Sequence, residues 1–168
     1  MKRFIFVLII SLSTLSLTGC NDLLTKLSNL FNSEQPKPHD IHQQNLKKDL
    51  KAFDAIRTQQ NSVFFELNEK LESAKNKETS TATIRADLIS FSDTLASQTE
   101  SFKGLHLHTT EVAKMRNKVM QLNYSTIQII QVVDNPTAVN KRMNDYLNVQ
   151  KKLINDYNKL RTEAELKL

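Results

Sequence analysis

The only cysteine of the sequence, Cys20, stands directly behind two small residues, Thr18 and Gly19, and an apolar run at residues 4–17. A thiol is a strong nucleophile once it is deprotonated, so it is the side chain best suited to forming a thioether. The spacing therefore points to covalent chemistry on Cys20, at the end of an N-terminal leader.

The leader itself has the pattern of a secretory signal. Lys2 and Arg3 form a basic start, and the apolar run at residues 4–17 is too short to span a bilayer comfortably. We expect residues 1–19 to be a signal peptide that is removed from the mature protein.

The four residues Leu17-Thr18-Gly19-Cys20 resemble the lipobox of bacterial lipoproteins. The resemblance implies that the thiol of Cys20 is diacylated, that the chain is cut between Gly19 and Cys20, and that the new amino terminus is acylated too. Each buried CH₂ of an acyl chain contributes roughly 0.8 kcal/mol, so two or three chains form a durable anchor. The alternative is an ordinary signal peptide with a chance cysteine.

Two consequences follow from the resemblance. A lipidated Cys20 leaves no free thiol, which excludes disulfides, a thiolate metal site and a cysteine nucleophile. Asn21 is not the aspartate that, by the sorting rule of enteric-type bacteria, keeps a lipoprotein in the inner membrane. We therefore expect an outer-membrane protein, on the periplasmic side; in a cell with one membrane the domain would lie on its outer face.

Composition predicts one modest helical domain. The chain has 168 residues with two glycines, three prolines and no tryptophan, which is few turn residues for a β-rich fold. Its formal charge is +5, and removal of Lys2 and Arg3 leaves +3. This small excess of positive charge is not typical of a nucleic-acid-binding protein, so we expect no nucleic-acid partner.

The first part of the mature chain, residues 20–40, reads as an anchor, a short amphipathic segment and a tether. Leu23, Leu27 and Leu30 share one helical face, which either lies among lipid headgroups or packs on the folded domain. The stretch from Asn32 to Asp40 contains two prolines and polar residues, which suit an extended tether. The folded domain then covers residues 41–168.

Apolar residues at helical spacing predict four helices in that domain. Asp40 is the expected N-cap of the first, Gly104 the C-cap of the second, Thr109 or Thr110 the N-cap of the third, and Pro136 an early residue of the fourth. The predicted ranges are 40–75, 82–103, 109–133 and 136 to nearly the C-terminus.

Short connections between these helices favour an all-α, antiparallel up-down four-helix bundle. The first and last helices are longer than the middle pair, so part of the long pair is expected to project as a helical hairpin. A rod-like dimer and extended hairpins are the competing architectures.

The remaining polar residues show no pattern of an active site. His39 and His42, and likewise His106 and His108, are close in sequence, but no HExxH, paired ExxH or CxxC pattern is present. The chain also lacks a nucleophile elbow. We expect surface histidines, no metal, no cofactor and no catalytic residues.

The most unusual segment is Gln121–Val133, thirteen residues without a charge. Besides its core stripe it carries a second apolar set that includes Tyr124, Ile127 and Ile130, so more than one side of this helix is expected to be shielded from water. Either the helix is central in the bundle, or Tyr124, Ile127 and Ile130 form a docking face for a partner or a second copy.

These patterns predict a membrane-anchored lipoprotein whose helical domain is a non-enzymatic binding or scaffolding element. Its expected partners are the membrane, through the anchor, and an envelope protein or a second copy. The alternative function is a carrier or sensor that binds a small ligand or metal between the helices, which requires an internal cavity with converging polar groups.

The anchor prediction is tested by Cys20→Ala. We expect this variant to leave the membrane fraction after a high-salt and carbonate wash, because it has no thiol to acylate, while the wild type stays. Immunoblotting of the washed fractions measures the difference. If Cys20→Ala remained in the washed membranes, lipidation would not be the main attachment.

Overall fold

The computed structural model describes residues 38–76 and 80–168, and this part of the chain contains four helices and no strand. The all-α prediction is therefore confirmed for the described residues. The signal peptide, the lipobox with Cys20, the short amphipathic segment and most of the tether lie outside them. The helices are α1 at Pro38–Asn76, α2 at Thr81–Lys103, α3 at Thr110–Ile130 and α4 at Pro136–Glu165.

Short-range polar contacts set two of the helix starts. The hydroxyl oxygen of Ser80 accepts a hydrogen bond from the backbone N–H of Thr83 at 3.1 Å, and the side-chain oxygen of Asn135 accepts one from Ala138 at 3.0 Å. Each bond satisfies a backbone N–H that has no partner within its own helix. The starts of α2 and α4 are therefore encoded locally.

Two predicted helix boundaries were wrong by a few residues. Helix α1 begins at Pro38, so Asp40 lies inside its first turn, where the carboxylate faces the positive end of the helix dipole rather than capping it. Helix α3 ends at Ile130 instead of Val133. The N–H of Val133 bonds to the carbonyl oxygen of Ile130 at 3.1 Å, which tightens the chain into a turn.

Each helix packs against the next one along the chain, and α1 also packs against α3. Helices α1 and α4 meet through side chains: Arg161 donates to Asp54 at 2.6 Å, and the rings of Phe53 and Tyr157 stack with centroids 6.2 Å apart. Their lengths are unequal, with 39 and 30 residues in α1 and α4 against 23 and 21 in α2 and α3. Helix α3 is in contact with α1, α2 and α4.

The core consists of two apolar clusters that follow each other along the helices. Buried residues of α1 recur at steps of three and four, from Leu46 to Leu71, as heptad packing requires. One cluster is centred on Phe64, Phe91, Leu122 and Leu153. The other contains Leu46, Leu50, Phe53, Phe102, Val112, Met115, Val119 and Ala164.

The start of α1, the α2–α3 connection, the start of α3 and the end of α4 lie at one end of the domain. The side-chain amide of Gln43 donates to the carbonyl oxygen of Lys167 at 3.1 Å, and Nε2 of His42 lies 3.4 Å from a carboxylate oxygen of Glu111. We call this the anchor-side end, because the chain preceding Pro38 carries Cys20. None of the helices in the described residues is long and apolar enough to cross a membrane.

The packing of the second cluster is tested by Phe102→Ala. Phe102 is fully buried, and its ring centroid lies 5.4 Å from that of Phe53. We expect the free energy of unfolding to fall by about 3–5 kcal/mol, because the truncation removes apolar contacts and leaves a cavity. Urea denaturation of the mature chain measures the change.

The matched control is Phe65→Ala, because the side chain of Phe65 is 63% exposed. It should change the free energy of unfolding by no more than about 0.5 kcal/mol. Equal losses in the two variants would contradict the packing of Phe102.

Candidate functional site

The three residues of the predicted partner face do not lie together on the surface. Tyr124 is 45% exposed, Ile127 is half-buried against the core, and Ile130 is 4% exposed. Only Tyr124 offers a large accessible side chain. Binding by this helix therefore has to use Tyr124 and its exposed neighbours rather than the apolar set, and a partner role for Tyr124 stays a prediction.

The position of α3 explains why several residues of the stretch at Gln121–Val133 are buried. Because α3 packs on three helices, residues on several of its sides are removed from water. The buried residues of the stretch are Leu122, Asn123, Thr126, Ile129 and Ile130.

The exposed side of α3 is uncharged as well over more than two turns. We call Asn117, Gln121, Tyr124 and Gln128 the α3 outer face; these exposed side chains follow one another at steps of three and four. Amides adapt their hydrogen bonds to a partner, and tyrosine supplies a large contact at low entropic cost. Depletion of charge with an exposed aromatic residue is typical of the centre of a protein interface.

A chain of buried hydrogen bonds joins α1, α3 and α2 between the two apolar clusters. Gln60 accepts from Arg57 at 2.6 Å and donates through Nε2 to Oδ1 of Asn123 at 2.7 Å. Asn123 in turn donates to the hydroxyl of Thr99 at 3.0 Å, and Thr99 donates to the carbonyl oxygen of Leu95 at 2.8 Å. We call this set the polar ladder.

Arg57, the first residue of the polar ladder, also contacts an aromatic ring on α4. The guanidinium carbon of Arg57 lies 5.6 Å from the ring centroid of Tyr157, close enough for a cation–π interaction. Burial lowers the pKa of Arg57 and raises the pKa of Tyr157. The ring of Tyr157 and the side-chain oxygen of Gln60 therefore stabilise the charged guanidinium of Arg57. With these contacts Arg57 packs as a residue of the core.

At the anchor-side end, Asp49 of α1 binds the two residues that precede α3. Its carboxylate accepts hydrogen bonds from the backbone N–H groups of His108 and Thr109, both at 2.7 Å, and from the hydroxyl of Thr109 at 2.8 Å. Burial raises the pKa of Asp49, but the hydrogen bonds from His108 and Thr109 outweigh it and leave the pKa lowered. Thr109 is the N-cap residue of α3, one of the two predicted, but its side chain makes no capping hydrogen bond and donates to Asp49 instead.

All four histidines of the protein belong to the anchor-side end. His39 and His42 lie in the first turns of α1, and His106 and His108 in the α2–α3 connection. Nδ1 of His108 lies 3.1 Å from a carboxylate oxygen of Asp49. Within residues 38–76 and 80–168, no three histidine, cysteine or acidic side chains converge on a position that would hold a metal ion.

A surface groove runs between α3 and α4, with a volume of about 450 Å³. Lys118 crosses it, donating to Asp156 at 2.7 Å and lowering the pKa of that carboxyl group. Lys114, Gln121 and Lys159 also line it. The groove is open to solvent, whereas the carrier hypothesis requires polar groups converging on an internal cavity; the converging polar groups of the ladder bond to one another.

Sequence reasoning missed both Asp49 and the polar ladder. Arg57, Gln60 and Gln150 stand at positions where the heptad pattern places core residues, and this is the signal that was available. Gln150 donates to the hydroxyl of Tyr146 at 3.1 Å, so it too is bonded within the core. A polar residue at a core position predicts a buried hydrogen bond but does not name its partner.

An all-α domain behind a lipobox-like leader defines the class of a lipid-anchored helical protein. The family described as "Uncharacterised lipoprotein PM1805" matches residues 47–167, which include all of α2, α3 and α4 and most of α1. The chain belongs to this family and is a bacterial lipoprotein, anchored to a membrane of the cell envelope. No curated protein and no solved structure matches it.

The contacts of Glu111 predict the acid sensitivity of the anchor-side end. Lys167 donates to Glu111 at 2.6 Å and lowers the pKa of this carboxyl group from 4.5 to about 2. Because the folded-state pKa lies below the ordinary value, Glu111 stabilises the fold above pH 4.5, and this contribution is lost as the pH falls toward 2. We expect Glu111→Gln to lower stability at pH 7 and to flatten the decline of the free energy of unfolding between pH 4.5 and 2.

Urea denaturation at a series of pH values measures this decline. Glu66→Gln is the matched control, because Glu66 is exposed on α1. If Glu111→Gln kept the slope of the wild type, the ion pair with Lys167 would not contribute to stability.

Proposed function

We propose that this lipoprotein is held in the outer membrane by acyl chains on Cys20 and that its helical domain works on the periplasmic side as a non-enzymatic binding or scaffolding element. The family supports the membrane anchor. The lipobox resemblance at Leu17-Thr18-Gly19-Cys20 supports the modified residue, and Asn21 supports transfer to the outer membrane. Anchoring concentrates a binding face at the membrane without any new contact.

The scaffold in this proposal is an antiparallel up-down four-helix bundle. Supporting contacts link the start of one helix to the end of the next: Arg85 of α2 pairs with Asp134 just beyond α3. Likewise, Lys118 of α3 pairs with Asp156 late in α4, and Thr126 near the end of α3 lies 3.3 Å from the hydroxyl of Tyr146. Such a bundle presents rigid side faces along its length.

The observation that carries the binding role is the α3 outer face. Its exposed Tyr124 stands between Gln121 and Gln128 on a helix whose other sides are packed or hydrogen-bonded. A rigid, uncharged face of this kind binds a partner at low cost in entropy and in charge desolvation. We propose an envelope protein as the partner.

The proposal is tested by placing a photoreactive residue at Tyr124 in the anchored protein, with the same residue at exposed Lys151 of α4 as control. We expect one discrete adduct from Tyr124 and none from Lys151. Gln121→Glu should reduce the yield at Tyr124 severalfold, because it adds a charge beside the contact.

Equal labelling at both positions, or no adduct at Tyr124, would contradict a docking role for the α3 outer face. A yield at Tyr124 that does not respond to Gln121→Glu would contradict it too, since a specific interface is sensitive to an added charge. Mass spectrometry of the adduct also distinguishes an envelope protein from a second copy.

A further inference from the structure

Three large apolar side chains are exposed at the anchor-side end. Leu166 is 82% exposed, Leu168 is 50% exposed and Ile41 is 46% exposed. The hydrogen bond from Gln43 to the carbonyl oxygen of Lys167 holds the end of α4 against the first turns of α1. Ile41, in the first turn of α1, and Leu166 and Leu168, at the end of α4, therefore lie at the same end of the domain.

Cationic side chains continue this region along α1. Lys48 and Lys51 stand seven and ten positions after Ile41, which places them on the same face of the helix, and both are exposed. Two of the nearby carboxylates are already paired, Glu111 with Lys167 and Glu165 with Arg161. Exposed leucine and isoleucine beside lysine is the composition of surfaces that bind anionic lipid headgroups.

The chain that carries the anchor joins the described domain at this end. Pro38, where α1 begins, stands 18 positions after Cys20, and a chain of that length spans at most roughly 60 Å when fully extended. The protein is a membrane-anchored lipoprotein. The anchor-side end is thus the end at which the chain from Cys20 enters the described domain.

We propose that the anchor-side end is a second membrane contact, in which Ile41, Leu166 and Leu168 enter the headgroup region of an anionic lipid layer and Lys48 and Lys51 bind headgroup phosphates. One acyl-anchored attachment point leaves a domain free to rotate about its tether. A second contact limits that rotation and orients the helices relative to the bilayer. This inference rests on the membrane anchor and is independent of the partner proposed for Tyr124.

The test uses the lipidated protein in vesicles of phosphatidylethanolamine and phosphatidylglycerol. Leu166→Cys is labelled with an environment-sensitive fluorophore, and Phe65→Cys, also an exposed position and far along α1, is the matched control. We expect a blue-shifted emission at position 166 that brominated lipids quench, and neither effect at position 65. The wild type checks that Cys20 itself takes no label.

A second comparison tests the contribution of Lys48 and Lys51 separately from that of the apolar side chains. In the Leu166→Cys background, Lys48→Gln with Lys51→Gln should reduce the lipid quenching severalfold, as should replacing phosphatidylglycerol by phosphatidylcholine or raising the salt concentration. Circular dichroism confirms that each labelled variant is folded.

Other occupants of this region give different results. A blue shift in vesicles that brominated lipids do not quench means that residues 21–37 cover the region, and a shift that grows with protein concentration means a second copy. Either result overturns the proposal, as does equal quenching at positions 166 and 65.

Discussion

Helix α3 packs against α1, α2 and α4, and a helix with three neighbours has little surface on which a charge stays hydrated. This constraint accounts for the absence of charge among the buried residues of Gln121–Val133, but it does not explain why the exposed α3 outer face is uncharged too. It also determines where charge appears in the fold. Lysine and carboxylate pairs such as Lys118 with Asp156 lie at the edges of the helix contacts, where water still reaches them.

Because α3 is packed between other helices, the polar ladder fixes its position relative to them. Asn123 is 2% exposed and bonds to Gln60 on α1 and to Thr99 on α2, so one amide fixes α3 against two helices at a defined level. An unpaired buried amide costs roughly 1–3 kcal/mol, so shifting any of these helices by one turn is unfavourable. Apolar heptads alone slide more easily, because a leucine packs nearly as well one heptad along.

Heptad spacing and local caps were enough to predict the four helices. Asn135 caps α4 through a residue three positions away, so the signal is contained in a few residues of sequence. The role of Asp49 was not recognised because its partner, Thr109, lies 60 positions along the chain. The prediction that Ile130 belongs to a partner face failed for a related reason. A helical wheel shows which residues share a side of a helix, but it does not show how many sides are covered by neighbouring helices.

The two surfaces proposed for contact are compatible because they lie at different positions along the helices. Helix α3 begins at the anchor-side end with Thr110, and Tyr124 stands 14 positions later, which is about 20 Å along the helix axis. A lipid layer that meets Leu166 and Ile41 therefore leaves Tyr124 clear of the headgroups. Orientation by the anchor-side end then serves binding by the α3 outer face, because a domain that no longer turns about its tether presents Tyr124 at a constant distance from the bilayer.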